Sequence, residues 1–330
     1  MTAPSGPFRR TMAVAGGSRP TAAAGGGGGV NLALSTMWWG EEEGAVEELV
    51  ARTVALGFTQ VELDYRRSPE TVDQLRGALA MAGLGAQSMH APFPCPPGAA
   101  PLQQADLAAD DDLTRQRAEV LVAHTLETAS AWGIHVVVLH AGNMRSLASL
   151  EGKLRGMFQG GHDDSVEFDR LRQELRKQRA QEAPRCLGRV RQALDHLVPL
   201  AQELGMCIAL ETRAEYRDLP SLGEVGALLD EFGPAVGYWH DLGHAFRQEA
   251  LGFCRQEEWL VRYGDRTVGM HLHDSSGLTD HLPPGQGAIP WERLVPLFPP
   301  QARRVLEVQS SHGADELTAG VAHLAALGVV

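Results

Sequence analysis

The chain has little cysteine and no long apolar run. Its four cysteines, Cys95, Cys186, Cys207 and Cys254, show no Cys-x-x-Cys and no repeated spacing. Such scatter speaks against structural disulfides and for reduced thiols in a cytoplasmic setting. No apolar stretch approaches the roughly 18 residues of a membrane span. Acid is missing from residues 1–29, which are Gly/Ala-rich and carry Arg9, Arg10 and Arg19. Low complexity of this kind is expected to form a disordered, dispensable tail. Arg9-Arg10 bears on a twin-arginine signal, but the following TMAVAGG is short and broken at Ser18-Arg19-Pro20. The absence of acids also resembles an organellar transit peptide. Elsewhere it is basic charge that is scarce. Lys and Arg number 29 against 41 Asp and Glu, a net charge of −12, and the body beyond the tail carries −15. That balance argues against broad nucleic-acid or anionic-membrane binding.

With 330 residues, 44% of them hydrophobic, the chain can bury one large core. Four short apolar runs in its second half each stop at a side chain of metal-ligand type. They are CIALE to Glu211, AVGYWHD to Asp241, TVGMH to His271 and RRVLE to Glu307, at intervals of 30, 30 and 36 residues. Each interval suits one strand, one turn and one helix. Parallel strands buried on both faces read as near-continuous apolar runs, and their ends converge on one rim. The first half repeats the pattern in TQVELD to Asp64, GAQSMH to His90 and HVVVLH to His140, with VNLALSTMWW before them and a strand end at Trp38. Between these runs, GAVEELVARTVALG, ETVDQLRGALAMAG and TRQRAEVLVAHTLETASAWG place apolar residues at helical steps and stop at Gly. Eight strand ends predict a single-domain α/β fold, an eightfold (β/α) barrel over residues 30–330. An open doubly wound sheet would not send so many polar ends to one rim.

His140 and Glu211 are 71 residues apart, twice the normal unit. The surplus, about 145–184, contains Gly160-Gly161 and the charged run SVEFDRLRQELRKQRAQEA. A solvated helical insertion is expected, with a lid or a subunit contact as the sharper alternative.

Acidic side chains are rarely buried unless paired or bound to a cation. Glu211, Asp241 and Glu307 each end an apolar strand, so three carboxylates at one mouth, with His271, point to a divalent metal: Mn, Co, Mg or Zn. His271 and His273 share a side of their strand, so spacing does not choose between them as ligand. His273 and Asp274 are expected as a pair that orients His271. Trp38, Trp39 and Phe93 lie where they could wall a pocket, or simply pack. Glu62, inside TQVELD, reads as a hydrogen-bonded mouth residue. Arg213 could bind a hydroxyl or phosphate, although an arginine in a polar loop is more often structural.

HDLGHAF (240–246), HLHDSS (271–276), DHLPPGQG (280–287) and LET (210–212) resemble the xylose-isomerase-like barrel superfamily over about residues 30–330. That resemblance implies a metal held by Glu211, Asp241, His271 and Glu307. It favours His271 over His273, and places His244 and His281 against substrate or a further metal. In its sugar isomerase and epimerase branch, Glu211 and Glu307 would exchange the roles of base and acid, while His244 would hydrogen-bond the developing oxyanion. The substrate would be a small sugar or sugar phosphate, and relatives often pair through rim loops into homo-oligomers. The endonuclease-IV-type branch, which uses three zinc ions, needs the histidines matched by His90, His140, His244 and His281. It also needs an Asp two residues before the last of these. Thr279 stands there, and Asp280 is adjacent instead. The LETRAEYRDLPS and HDLGHAF wording favours the sugar branch. A non-catalytic metal- or sugar-binding barrel is the third reading.

Overall fold

Eight apolar runs become eight parallel strands, each buried on both faces between the barrel interior and the surrounding helices. The computed structural model describes residues 32–40, 45–95 and 105–330; the expected tail over 1–29 lies outside them. In chain order the strands are β1 (Ala33–Ser35), β2 (Gln60–Leu63), β3 (Gly85–His90), β4 (Val136–Leu139), β5 (Gly142–Asn143) and β6 (Cys207–Glu211). They continue with β7 (Asp218–Leu219), β8 (Val236–Asp241), β9 (Thr267–Leu272), β10 (Asp274–Ser276), β11 (Thr279–Leu282) and β12 (Arg303–Leu306). The barrel closes in the order β1-β12-β9-β8-β6-β4-β3-β2. Two antiparallel ribbons, β5 with β7 and β10 with β11, rise from loops that follow barrel strands.

The helices expected between the early strands form over Val46–Ala55, Val72–Ala82 and Asp112–Ala131. The third starts where the Asp111 side chain accepts from the backbone N–H groups of Leu113 and Thr114, an N-cap that satisfies otherwise orphaned donors. Inside the barrel sit Ala33, Val136, Val138, Ala209, Trp239 and Val305. Trp239 is the plug of this layer, and it fits only because its neighbour on β9 is Gly269. A Cβ there would lie 2.0 Å from the indole ring.

Three expectations change. The strand end at Trp38 is replaced by a 3₁₀ turn over Thr36–Trp39, which begins as soon as β1 stops at Ser35. Its indoles turn into the packing layer rather than the mouth: Trp39 Nε1 donates to Thr53 Oγ1 at 3.0 Å and Trp38 Nε1 to the His312 carbonyl at 2.8 Å. Phe93, also buried, packs edge-on against Trp132. The insertion does not end at Pro184, because one helix runs unbroken over Val166–Glu203 with Pro184 and Pro199 inside it. Proline removes a hydrogen bond from such a helix. Here a continuous buried stripe from Phe168 through Leu175, Ala183, Leu187 and Leu194 to Ala201 outweighs that loss. The charged run is therefore amphipathic and docked, not free in solvent. Its Arg179 is buried and bonds the Glu224 carboxylate and the carbonyls of Tyr216 and Asp218.

The helix over Ala148–Gln159 carries a buried acid, Glu151, 1% exposed. Burial and neighbouring Glu215 push its carboxyl up from 4.5 to about 7. A folded-state pKa above the unfolded one gives a stabilising contribution that is complete below about 4.5 and lost as pH rises through about 7. Glu151→Gln is expected to keep the hydrogen bond from the Tyr216 N–H without the ionisation penalty. Its melting temperature relative to wild type should climb between pH 5 and pH 8, by the equivalent of up to about 3 kcal/mol. A difference that is flat with pH would show that Arg217, 3.6 Å from this carboxylate, already neutralises it.

Candidate metal centre

The strand register brings the expected ligands together. On adjacent strands Asp241 pairs with His271, and Val305, two residues before Glu307, also pairs with His271. Glu211 ends β6, on the other side of β8. Their side chains converge on one atom. His271 Nδ1 lies 3.6 Å from Glu211 Oε1, 3.4 Å from Asp241 Oδ2 and 3.2 Å from Glu307 Oε2. It is buried and has no hydrogen-bond partner among the described residues.

These spacings fit a shared ion. Two ligand atoms each about 2.1 Å from one cation stand roughly 3.0 Å apart at a right angle and roughly 3.4 Å apart at the tetrahedral angle. The charges fit as well. Burial alone would depress the His271 imidazole, but Glu307 and Glu62 outweigh it and raise it well above its ordinary value. The carboxylates thus draw a cation to Nδ1. Burial by itself would raise Glu307, yet His271 and His281 bring it down to about 2. The donor set, three carboxylate oxygens and one imidazole nitrogen, suits a hard-to-borderline divalent ion.

His271 is oriented by Glu62, which the sequence marked only as a hydrogen-bonded mouth residue. Glu62 is fully buried on β2. Its Oε1 lies 2.8 Å from His271 Nε2, and its Oε2 accepts from Ser88 Oγ at 2.8 Å. A carboxylate on one ring nitrogen places the proton there and leaves the other nitrogen free as a ligand. The pair expected for this task does something else. His273 Nε2 lies 3.0 Å from Asp241 Oδ1, and its Nδ1 accepts from the His281 N–H. Asp274 accepts from the N–H groups of Ser275, Gly285 and Ile289 and from Trp291 Nε1. It holds the loop after β11 in place and does not reach His271. The Asp64 carboxylate turns to Arg66 and stays outside the cluster.

Asp241 has a second task. Its Oδ1 accepts from the His244 N–H at 2.7 Å and so caps the helix Leu242–Ala250. The first turn of that helix presents His244, whose Nδ1 lies 2.9 Å from the Thr212 carbonyl and 3.1 Å from Glu211 Oε1. Gly243 permits this geometry, since a Cβ there would meet the His273 ring at 2.1 Å. His281, at φ +58°, lies between Asp280 Oδ1 at 3.0 Å and Glu307 Oε2 at 3.4 Å. His90 and His140 stand at the far side of Glu211, their Nε2 atoms 3.1 and 2.6 Å from its Oε2.

A cavity of about 650 Å³ opens above this cluster and is lined by His90, His140, Glu211, His244, His281 and Glu307. Trp38, Trp39 and Phe93 take no part; the walls are Met37, Tyr65, Arg66, Arg217 and Gln309, with Arg145 and Ala148 from the insertion. The insertion is thus one wall of the mouth. Arg213 lines the same space, only 11% exposed and 3.0 Å from Glu211 Oε1, rather than lying on the surface. Tyr65 and Arg217 carried no sequence signal, because they belong to irregular loops without periodicity; Arg247 lies on the helix Leu242–Ala250, where an arginine gives no local sign of facing a cavity.

A family model described as a xylose isomerase-like TIM barrel matches residues 50–298. No curated protein matches the chain. Among solved structures, the chain is similar to the 3-keto-D-glucoside 4-epimerase of E. coli, at 15% identity and a TM-score of 0.62, covering 91% of this chain and 99% of that one. It is also similar to the D-psicose 3-epimerase of Clostridium cellulolyticum H10, solved with D-tagatose, at 13% identity and a TM-score of 0.62 over 89% and 98%. A D-allulose 3-epimerase from Methylomonas sp. has 14% identity and a TM-score of 0.60 over 89% and 96%. At these identities the likeness is one of fold.

Proposed function

We propose, from the premise that this chain belongs to the xylose isomerase-like TIM barrel family, that it is a divalent-metal-dependent isomerase or epimerase of sugars or sugar phosphates. The observation that carries this reading is the convergence of Glu211, Asp241 and Glu307 on the unpartnered Nδ1 of His271. A divalent ion held there would polarise a carbonyl and a neighbouring hydroxyl, worth several kcal/mol of developing charge.

The chain's own residues then move the proton. Glu211 and Glu307 end strands at the two ends of the four-strand arc β12-β9-β8-β6, so a substrate seated between them meets a carboxylate on either side. One takes the proton from the carbon beside the carbonyl and the other returns it, each positioned group being worth about 10²–10⁴-fold. Asp241 and His271 hold position. His244 differs from the simple expectation of a donor. Its Nδ1 faces the Thr212 carbonyl, so in the tautomer with the proton on Nδ1 a lone pair stands at Nε2. It accepts a substrate hydroxyl and can take that proton. Met37 and Tyr65 line the cavity and supply its less polar wall beside the substrate. The same epimerase activities named for the similar structures support a ketose or keto-sugar as substrate.

The test is proton exchange in D₂O across small ketoses, inosose-type cyclitols and their phosphates. Loss of one carbon-bound proton signal in NMR is expected with added Mn²⁺, Co²⁺ or Mg²⁺ and not after chelation. No exchange with any metal would leave the binding-protein reading standing. The grouping of His90, His140 and Glu211 is the observation that favours the nuclease reading. We expect no incision of abasic duplex DNA with Zn²⁺ even at low salt, where phosphate-driven binding is strongest. Thr279 is exposed, and Asp280, which does face His281, is already bonded to Arg247. Efficient incision that disappears in Glu211→Gln would replace the isomerase reading.

A further inference from the structure

His90, His140 and Glu211 form a second group whose ligand atoms lie close enough to share an ion. Both Nε2 atoms face the same oxygen, Glu211 Oε2, while Glu211 Oε1 faces His271. Two imidazoles and a carboxylate are a borderline donor set of the kind that takes Zn²⁺. Another cation already stands there. Arg213 Nη1 lies 2.5 Å from His140 Nε2 and 3.0 Å from Glu211 Oε1.

A neutral imidazole has a single lone pair. If the Nε2 of His140 accepts from the guanidinium, it has nothing left for a metal. The guanidinium is charged at every working pH, and it would repel a divalent ion bound so near. It is also anchored: Arg213 Nε faces Asp218 at 3.9 Å, and its own carbonyl accepts from Gln248 Nε2 at 2.6 Å. The arrangement recurs across the cavity. Asp280 Oδ1 lies 3.0 Å from His281 Nδ1 and its Oδ2 3.9 Å from His244 Nε2, but that Oδ2 accepts from Arg247 Nη1 at 2.5 Å.

We infer that Arg213 takes the place of a second cation between His140 and Glu211, so that the centre holds a single divalent ion. Loss of the guanidinium opens a second site for a borderline divalent metal, made of His90, His140 and Glu211. The inference rests on the proposed metal dependence but not on the substrate.

The experiment titrates chelator-stripped full-length protein with Zn²⁺ and measures bound metal after gel filtration. Wild type is expected to retain about one equivalent and Arg213→Ala about two; adding His140→Ala to that variant should return it to about one. His140→Ala alone should keep the wild-type equivalent, which guards against Arg213→Ala failing to fold. The inference is overturned if wild type retains none or two, if folded Arg213→Ala gains nothing, or if His140→Ala alone loses its ion. One equivalent per chain without sugar proton exchange would sink the isomerase reading and leave this one intact. Exchange with two equivalents in wild type would do the reverse.

Discussion

Glu307→Gln is expected to remove turnover, by at least about 10²-fold, a far larger effect than its lowering of the melting temperature of the metal-free protein. Glutamine keeps the shape of the side chain and the packing at the end of β12. Its amide nitrogen cannot take a proton from carbon, and its single oxygen carries no charge for a metal. In the metal-free protein the substitution gives up the attraction of His271 and His281 that holds this carboxyl at about 2, so some stability is lost at neutral pH. Activity and thermal unfolding should be measured on the same preparation. Parallel loss of both would make Glu307 a structural residue, and retained turnover would remove it from the proton path.

Glu62→Gln is expected to weaken metal affinity about 10- to 100-fold, with activity recovered at excess metal. A glutamine amide at this position can donate to His271 Nε2. The ring proton would then move to Nδ1, the atom that the other three ligands surround. Because Glu62 lies below the cavity and is fully buried, it has no route to the substrate. Its effect should therefore appear in competition titrations with a metal chelator and not in the affinity for sugar. Unchanged metal affinity would mean that the β2 carboxylate is only a packing partner of Ser88 and His271. An activity loss that excess metal does not restore would assign it a part in the chemistry itself.

The sequence by itself determined the barrel and the four residues that end its last strands. Both were legible because a both-faces-buried strand leaves a local mark, an apolar run of a few residues, and because the interval between runs is set by one strand, turn and helix. Glu211, Asp241, His271 and Glu307 could be read at the ends of such runs without knowing what lay beside them. The choice between His271 and His273 could not be read from spacing, since alternation puts both rings on one side. The fold separates them by pairing His271 with Glu62 from β2, 209 residues away along the chain. For the Trp38-Trp39 pair the sequence leaves a pocket wall and simple packing equally open; β1 stops at Ser35, and the 3₁₀ turn carries both indoles into the packing layer. The charge pattern bounds the insertion at about 184, and a buried stripe along 166–203 carries one helix past that limit. Arg213 and Arg247 are the sharpest case. Arg213 sits in a polar loop and Arg247 on the helix Leu242–Ala250, yet each guanidinium is held beside a cavity carboxylate, Glu211 for the first and Asp280 for the second. Local pattern records which residues must be buried. Which charged group faces which is set by strand register and loop path, and only the closed barrel decides those.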